Sequence, residues 1–233
     1  HTLMFSKNPP DVVGMCETFL TKNTKDNELQ IPGYLSERKD RTSQGGGGLI
    51  VYFSEKIKFS RQNNIEIGGI ETMWFEVKPD YKKSFLLCFV YRPPKSTIDW
   101  IDDFEKELGM AVNINSDIIL LGDFNMNFKA PSKPPQKWLN VLETFNLQQL
   151  IVDATRVTKD TSTLIDHIYV SNLDKVQESH VCNFAISDHY SICLTRKEVN
   201  KDKKNSHSTI TDRNFKKFDQ NEFLLDLKST PFY

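Results

Sequence analysis

The segment FLLCFVY, residues 85–91, is apolar at every position, and LIVYF (49–53) and IILL (118–121) repeat the pattern. Val, Ile, Phe and Tyr crowd such runs and Gly, Pro or Asp bound several of them, so each reads as a strand. Successive strand residues point to opposite faces. In LIVYF, Leu49, Val51 and Phe53 alternate with Ile50 and Tyr52, yet both sets are apolar, and a strand of that kind must be covered on both sides. DVVGM, TMWFEV, IDHIYV and YSICLT supply further strands. The covers are legible too. Ser96, with Asp99 three residues on, reads as a capping box, after which Ile101, Phe104, Leu108 and Ala111 recur at helical spacing. Trp138, Leu142 and Phe145 mark a second amphipathic helix beyond Pro131, Pro134 and Pro135. Sheets packed together with helices outside predict an α/β sandwich.

A chain of 233 residues, 38% hydrophobic and 26% charged, suits one large globular domain with an appendage. No apolar run approaches the roughly 20 residues needed to cross a bilayer. HTLMFSKNPP lacks the charged start, apolar middle and small-residue cleavage site of a signal peptide, so the chain reads as soluble and unsecreted, with no membrane partner. Cys16, Cys88, Cys182 and Cys193 are widely spaced within apolar stretches and form no Cys-x-x-Cys pair. They read as buried free thiols rather than disulfides or zinc ligands. The net charge of −1 argues against a dedicated nucleic-acid-binding module, which would carry a basic surplus.

Past Arg196 the texture changes. Residues 198–213 are polar and charged, with the composition of a linker. Residues 214–233 then offer Asp219 and Glu222 as a capping box before Phe223, Leu224 and Leu227, a short helix that must dock elsewhere or lead into something further.

Chemistry-bearing residues cluster at strand ends, where α/β sheets place their active groups. Asp123 and Asn125 follow IILLG, Glu17 follows DVVGMC, Asp166 opens DHIYV, and Ser187, Asp188 and His189 precede YSICLT. Read alone, GDFN is equally a turn, Glu17 a solvated acid, Tyr91 a core aromatic and His189 a structural histidine. His167 must face the opposite side of its strand from Asp166 and is set aside. His1, His180 and His207 read as surface residues. The run Gly45 to Gly48 lacks the Lys-Ser/Thr of a P-loop and reads as a hairpin entry.

Taken in order, CETF, YRPP, GDFN, LIDHI and SDH resemble the signature of the exonuclease-endonuclease-phosphatase superfamily, with the DNase I-like fold. The wording is most similar to the endonuclease domain of non-LTR (LINE-type) retrotransposon polyproteins, over residues 1 to about 197, and 214–233 resembles a connector toward a fused reverse transcriptase. The resemblance implies a four-layer α/β/β/α sandwich and a Mg²⁺-dependent endonuclease, with Mn²⁺ as a substitute ion. Its partner would be double-stranded DNA and its location intracellular, in the nucleus. One strand would be nicked to leave a 3′-hydroxyl for target-primed reverse transcription.

Carried over position by position, Asp123 resembles the residue that activates water, and Asn125 the donor to a phosphate oxygen. His189 resembles the phosphate-facing histidine, Asp166 its anchor, and Tyr91 the phosphate-contacting phenol. Glu17 and Asp188 are implied as metal residues, while Thr155, Arg156 and Ser187 are implied contacts to DNA or phosphate. Arg156 stands where such endonucleases have an aromatic. Arg38, Lys39, Arg41, Lys129, Lys133 and Lys159 are read on loops near these motifs.

Family members normally begin with a strand bearing an asparagine, followed by a helix, and HTLMFSKNPP resembles the end of that helix. A polypeptide of this sequence is therefore expected to be less active and less stable than one carrying the strand. Abasic-site repair nucleases, phosphatases and inactive relics of the same superfamily are the competing readings.

Overall fold

The computed structural model describes residues 9–41, 46–80, 83–185, 187–197 and 219–229. His1, His207, Gly45 and the segment read as a linker lie outside the described residues. The strands are β1 (Val12–Cys16), β2 (Tyr34–Lys39), β3 (Leu49–Ser54), β4 (Lys58–Arg61), β5 (Glu71–Lys78), β6 (Phe85–Tyr91), β7 (Ile118–Asp123), β8 (Gln148–Gln149), β9 (Arg156–Val157), β10 (Ser162–Thr163), β11 (Asp166–Val170), β12 (Val176–Ala185) and β13 (Tyr190–Arg196). The helices are α1 (Asp99–Ile114), α2 (Gln136–Thr144) and α3 (Gln220–Ser229). No helix among the described residues is long and apolar enough to cross a membrane.

A six-stranded sheet in the order β4-β5-β6-β7-β11-β8 is the central layer, and every residue of β6 is buried within it. Parallel pairing of β6 with β7 needs a crossover, and α1 supplies it. One sheet face carries Trp74, Leu86, Cys88, Val90 and Leu120, and packs against Ile101, Phe104 and Leu108 of α1 and Trp138 and Val141 of α2. Fully burying a side chain as large as Phe104 contributes roughly 2–3 kcal/mol. The helix begins at Asp99, three residues later than the capping box suggested. The Ser96 hydroxyl donates instead to the Pro93 carbonyl at 2.8 Å, in the turn that follows the two prolines.

The other face carries Met73, Phe75, Leu87, Phe89, Ile119 and Ile168. It packs against Leu49, Val51 and Phe53 of the β1-β3-β2 sheet and against Val181, Ile192 and Leu194 of the β12–β13 hairpin. Ile50 and Tyr52 turn outward beneath Leu20, Leu29 and Ile31, so both faces of β3 are covered as its composition demands. That outermost cover is a loop with one 3-10 turn, Asp26–Leu29. Gly46, Gly47 and Gly48 sit between β2 and β3 in the expected hairpin connection. Arg38 and Lys39, read on a loop, belong to β2. There Arg38 pairs with Asp26 and Asp40, and Lys39 with Glu66.

One correction concerns the thiols. Cys88 is buried and free, and Cys16 is free, but Cys182 and Cys193 form a disulfide. Antiparallel pairing of β12 with β13 makes neighbours of residues 11 apart, a proximity that motif spacing does not reveal.

By its internal contacts the chain divides into two units, residues 1–200 and 201–233. In the second, the backbone N–H of Glu222 donates to Asp219 Oδ1 at 3.1 Å, the expected cap on α3.

Candidate active site

Register assembles the site. In the six-stranded sheet Glu71 pairs with Tyr91, Tyr91 with Asp123, and Asp123 with Asp166, so one row of side chains crosses four adjacent strands. Directly paired residues share a face. This row shares its face with Leu87, Ile119 and Ile168, at the end of the seam between the two sheets. His167, one residue out of phase, faces the helical layer, where Tyr169 and the Leu164 carbonyl hold its ring. Gly122 has φ +145°, and a Cβ there would overlap the Val90 carbonyl, so β6 and β7 approach closely just before Tyr91 and Asp123.

Three further segments converge on the row. Glu17, directly after β1, adopts φ 53°, a left-handed conformation uncommon for a non-glycine residue, and its carboxylate accepts the Tyr91 phenol. Arg41 lies 5.5 Å from the Tyr91 ring centroid, and its Nε donates to Glu71 at 2.8 Å. His189 places Nδ1 2.9 Å from Asp166 Oδ2. Because a carboxylate only accepts, Nδ1 carries the proton and Nε2 is the nitrogen left for a ligand.

Burial and the neighbouring Asp166 carboxylate push the Asp123 carboxyl up to about 7, with Glu17 adding to the effect. His189 is raised by its bond to Asp166, and Tyr91 by burial and its bond to Glu17. Ligand atoms of Asp123, Asp166 and His189 lie within 4.8 Å of one another. A buried carboxyl whose proton affinity is raised by burial and a neighbouring carboxylate, as at Asp123, belongs to a donor set that a hard divalent cation relieves, and oxygen ligands suit Mg²⁺. The residues present therefore fit that ion.

Three residues depart from the roles the resemblance implied. Asn125 donates its amide to the Arg92 carbonyl at 2.8 Å and to Asp123 Oδ2 at 3.1 Å, so it buttresses Asp123. Asp188 is exposed and pairs with Arg156 Nε at 2.6 Å, which holds its carboxyl below the usual range. Thr155 is a correction: expected to touch DNA or phosphate, it is fully buried. Its Oγ1 accepts the Ile165 and Asp166 backbone N–H groups at 3.1 and 3.0 Å, and its carbonyl accepts from Tyr190 at 2.7 Å. Thr155 thus ties the strand of Asp166 to the segment of His189. Ser187, exposed, accepts the His189 backbone N–H at 3.1 Å.

Sequence reading missed two supports. Arg92 is buried under Asp123, donating to the Ser96 carbonyl at 2.8 Å and lying 5.7 Å from the Trp100 ring centroid. At the opposite end of β7, Asp117 accepts from Lys175 at 2.6 Å and from Arg196 at 2.8 Å, anchoring the far end of the hairpin that leads to His189. Arg92 lies within YRPP, from which only Tyr91 is read as a site residue, and Asp117 carries no local motif. Strand pairing brings Lys175 and Arg196 to Asp117 across more than fifty residues of chain.

A sequence model of the Endonuclease/Exonuclease/phosphatase family matches residues 3–189. No curated protein sequence matches the chain. Among solved structures, the chain resembles the 3′-5′ exonuclease NExo from Neisseria meningitidis at 16% identity and TM-score 0.63, covering 84% of this chain and 93% of that one. The endonuclease domain of TRAS1, a telomere-specific non-LTR retrotransposon, aligns at 12% identity and TM-score 0.62, over 78% and 83%. The catalytic domain of Xenopus laevis APE2 aligns at 14% and 0.59, over 80% and 83%. At these identities the structural likeness speaks for the DNase I-like fold alone. The family match spans most of the chain, and on it this protein belongs to the Endonuclease/Exonuclease/phosphatase family.

Proposed function

We propose that this member of the family is a divalent-metal-dependent endonuclease that nicks one strand of duplex DNA. The 3′-hydroxyl it leaves would prime a reverse transcriptase fused downstream, in the nucleus, as in non-LTR retrotransposons. The observation that carries the hydrolytic reading is the row Tyr91–Asp123–Asp166 with His189 anchored to its end. The order and wording of CETF, YRPP, GDFN, LIDHI and SDH favour the retrotransposon assignment.

Nicking breaks the P–O3′ bond. A water oxygen attacks phosphorus, its proton must be taken up, and the departing O3′ must gain one. Asp123, pushed up to about 7, has the proton affinity of a general base near neutral pH. Asn125 and its backbone N–H, 2.9 Å from Asp123 Oδ1, fix that carboxylate's orientation. His189, kept in one tautomer by Asp166 and raised toward its charged form, offers Nε2 to a phosphate oxygen. Arg41 and Arg156 add positive charge at the rim. A Mg²⁺ or Mn²⁺ ion, which Glu17 would hold beside the cluster of Asp123 and Asp166, would neutralise charge on the phosphate and the leaving oxygen when bound.

The test is conversion of supercoiled plasmid to the nicked circle. Nicking in Mg²⁺ should stop with a chelator and fall at least about a hundredfold in Asp123→Ala and His189→Ala. Turnover of a 3′-phosphate or abasic-site oligonucleotide without plasmid nicking would replace the endonuclease by a phosphatase or repair activity. Turnover of none of the three would refute the enzyme reading.

A further inference from the structure

A second cluster of metal-ligating side chains lies on the β12–β13 hairpin. Strand alternation directs Val181, Ile192 and Leu194 into the core between the sheets. The other face therefore carries Glu178, His180 and Cys182 from β12, and Ser191, Cys193 and Thr195 from β13. Register sets His180 opposite Cys193 and Cys182 opposite Ser191, so the two cysteines are diagonal neighbours with Cα atoms 6.6 Å apart. A ring nitrogen of His180 and both sulfurs lie within 4.8 Å of one another. His180 Nδ1 is also 3.2 Å from Glu178 Oε1, and both of these side chains are largely exposed.

We propose that reduction of the Cys182–Cys193 disulfide converts this cluster into a site for a thiophilic divalent cation of the Zn²⁺ class. Its ligands are both sulfurs and one His180 nitrogen. Zn–S and Zn–N bonds of about 2.3 and 2.0 Å place tetrahedral ligand atoms about 3.5 Å apart, within reach of small side-chain rotations here. Glu178 completes a carboxylate–histidine–metal relay that fixes the imidazole. Two thiolates and an imidazole select a soft or borderline ion and reject Mg²⁺, so this site and the carboxylate-rich one take different metals. Cys16 and Cys88 do not compete by position: Cys16 ends β1 and Cys88 is buried in β6 of the central sheet, neither on the β12–β13 hairpin.

The chemistry balances with a dithiol as reductant. The S–S bond accepts two electrons and two protons, yielding two thiols, while the dithiol closes to its own disulfide. Zn²⁺ then displaces one proton from each thiol. Both end states link β12 to β13 across the turn that carries His189, which lies between Cys182 and Cys193 in the chain, whereas the reduced, metal-free state does not.

The experiment uses the full chain, reduced with a non-coordinating phosphine under argon and titrated with Co²⁺. Binding of one Co²⁺ per chain should give tetrahedral absorption with a thiolate-to-cobalt charge-transfer band. One equivalent of Zn²⁺ should abolish the band, and excess Mg²⁺ should leave it unchanged. Cys182→Ser and Cys193→Ser should each remove the band. His180→Gln, at an exposed position that does not threaten folding, should weaken binding at least about tenfold. The proposal is overturned by absence of the band in reduced protein, by its survival in both serine variants, by its presence in the oxidised protein, or by unchanged affinity in His180→Gln.

Discussion

His189 Nδ1 stands 2.9 Å from Asp166 Oδ2, although 23 residues and two different sheets separate them. Asp166 opens β11 in the six-stranded sheet, and His189 sits just ahead of β13 in the hairpin. The pair is therefore a joint between layers as well as an electrostatic unit. Asp166→Asn keeps the shape but can present an N–H to Nδ1, favouring the wrong tautomer. Plasmid nicking by Asp166→Asn should fall about a hundredfold or more, and adding His189→Ala should cost little beyond the larger single effect. Additive losses in the double mutant would show that the two residues act separately.

Thr155→Val preserves volume and removes the oxygen that accepts the Ile165 and Asp166 N–H groups. Leaving buried donors unsatisfied costs about 1–3 kcal/mol each at most. Urea denaturation should show a loss of at least about 1 kcal/mol, and kcat should fall while substrate affinity changes little, because Asp166 moves but no substrate contact is removed. A selective loss of DNA affinity would restore the direct phosphate role.

Gly122→Ala meets the Val90 carbonyl at φ +145°. The carbonyl is backbone in the central sheet and cannot rotate away, so the variant should lose about 3 kcal/mol or more. A melting temperature within a degree or so of the parent would contradict the close β6–β7 approach.

Burial depresses His167 from 6.5 to about 4. The unfolded chain thus binds a proton more readily than the folded one between those values. The contribution of neutral His167 is fully present above pH 6.5 and is lost as pH falls toward 4, amounting to about 3 kcal/mol across that window. Stability curves of parent and His167→Asn should converge over this range as pH drops. Parallel curves would mean that the ring takes up its proton without penalty.

Much of this was legible because it is local. FLLCFVY is buried at all seven positions, LIVYF is covered on both faces, and DHIYV carries Asp166 and His167 to opposite sides, each following from two-residue alternation. The strand-end positions of Glu17, Asp123 and Asp166 could be read for the same reason. Polar strands such as YLSERK escaped, since their alternation is weak and their pairing with β3 decides their state. Thr155 was misjudged because a threonine in ATR looks the same whether its hydroxyl faces solvent or two backbone donors.

That several strands must be buried on both faces, and that acids and a histidine follow or precede them, is written in the order of residues alone. That Tyr91, Asp123 and Asp166 share one row, that Asp188 answers Arg156, and that Cys182 meets Cys193 emerges once the strands are assembled. Side-chain direction along a strand is set by the residue's own backbone. Which residues face one another across strands depends on register and sheet order, which are settled by the packing of segments far apart in the chain.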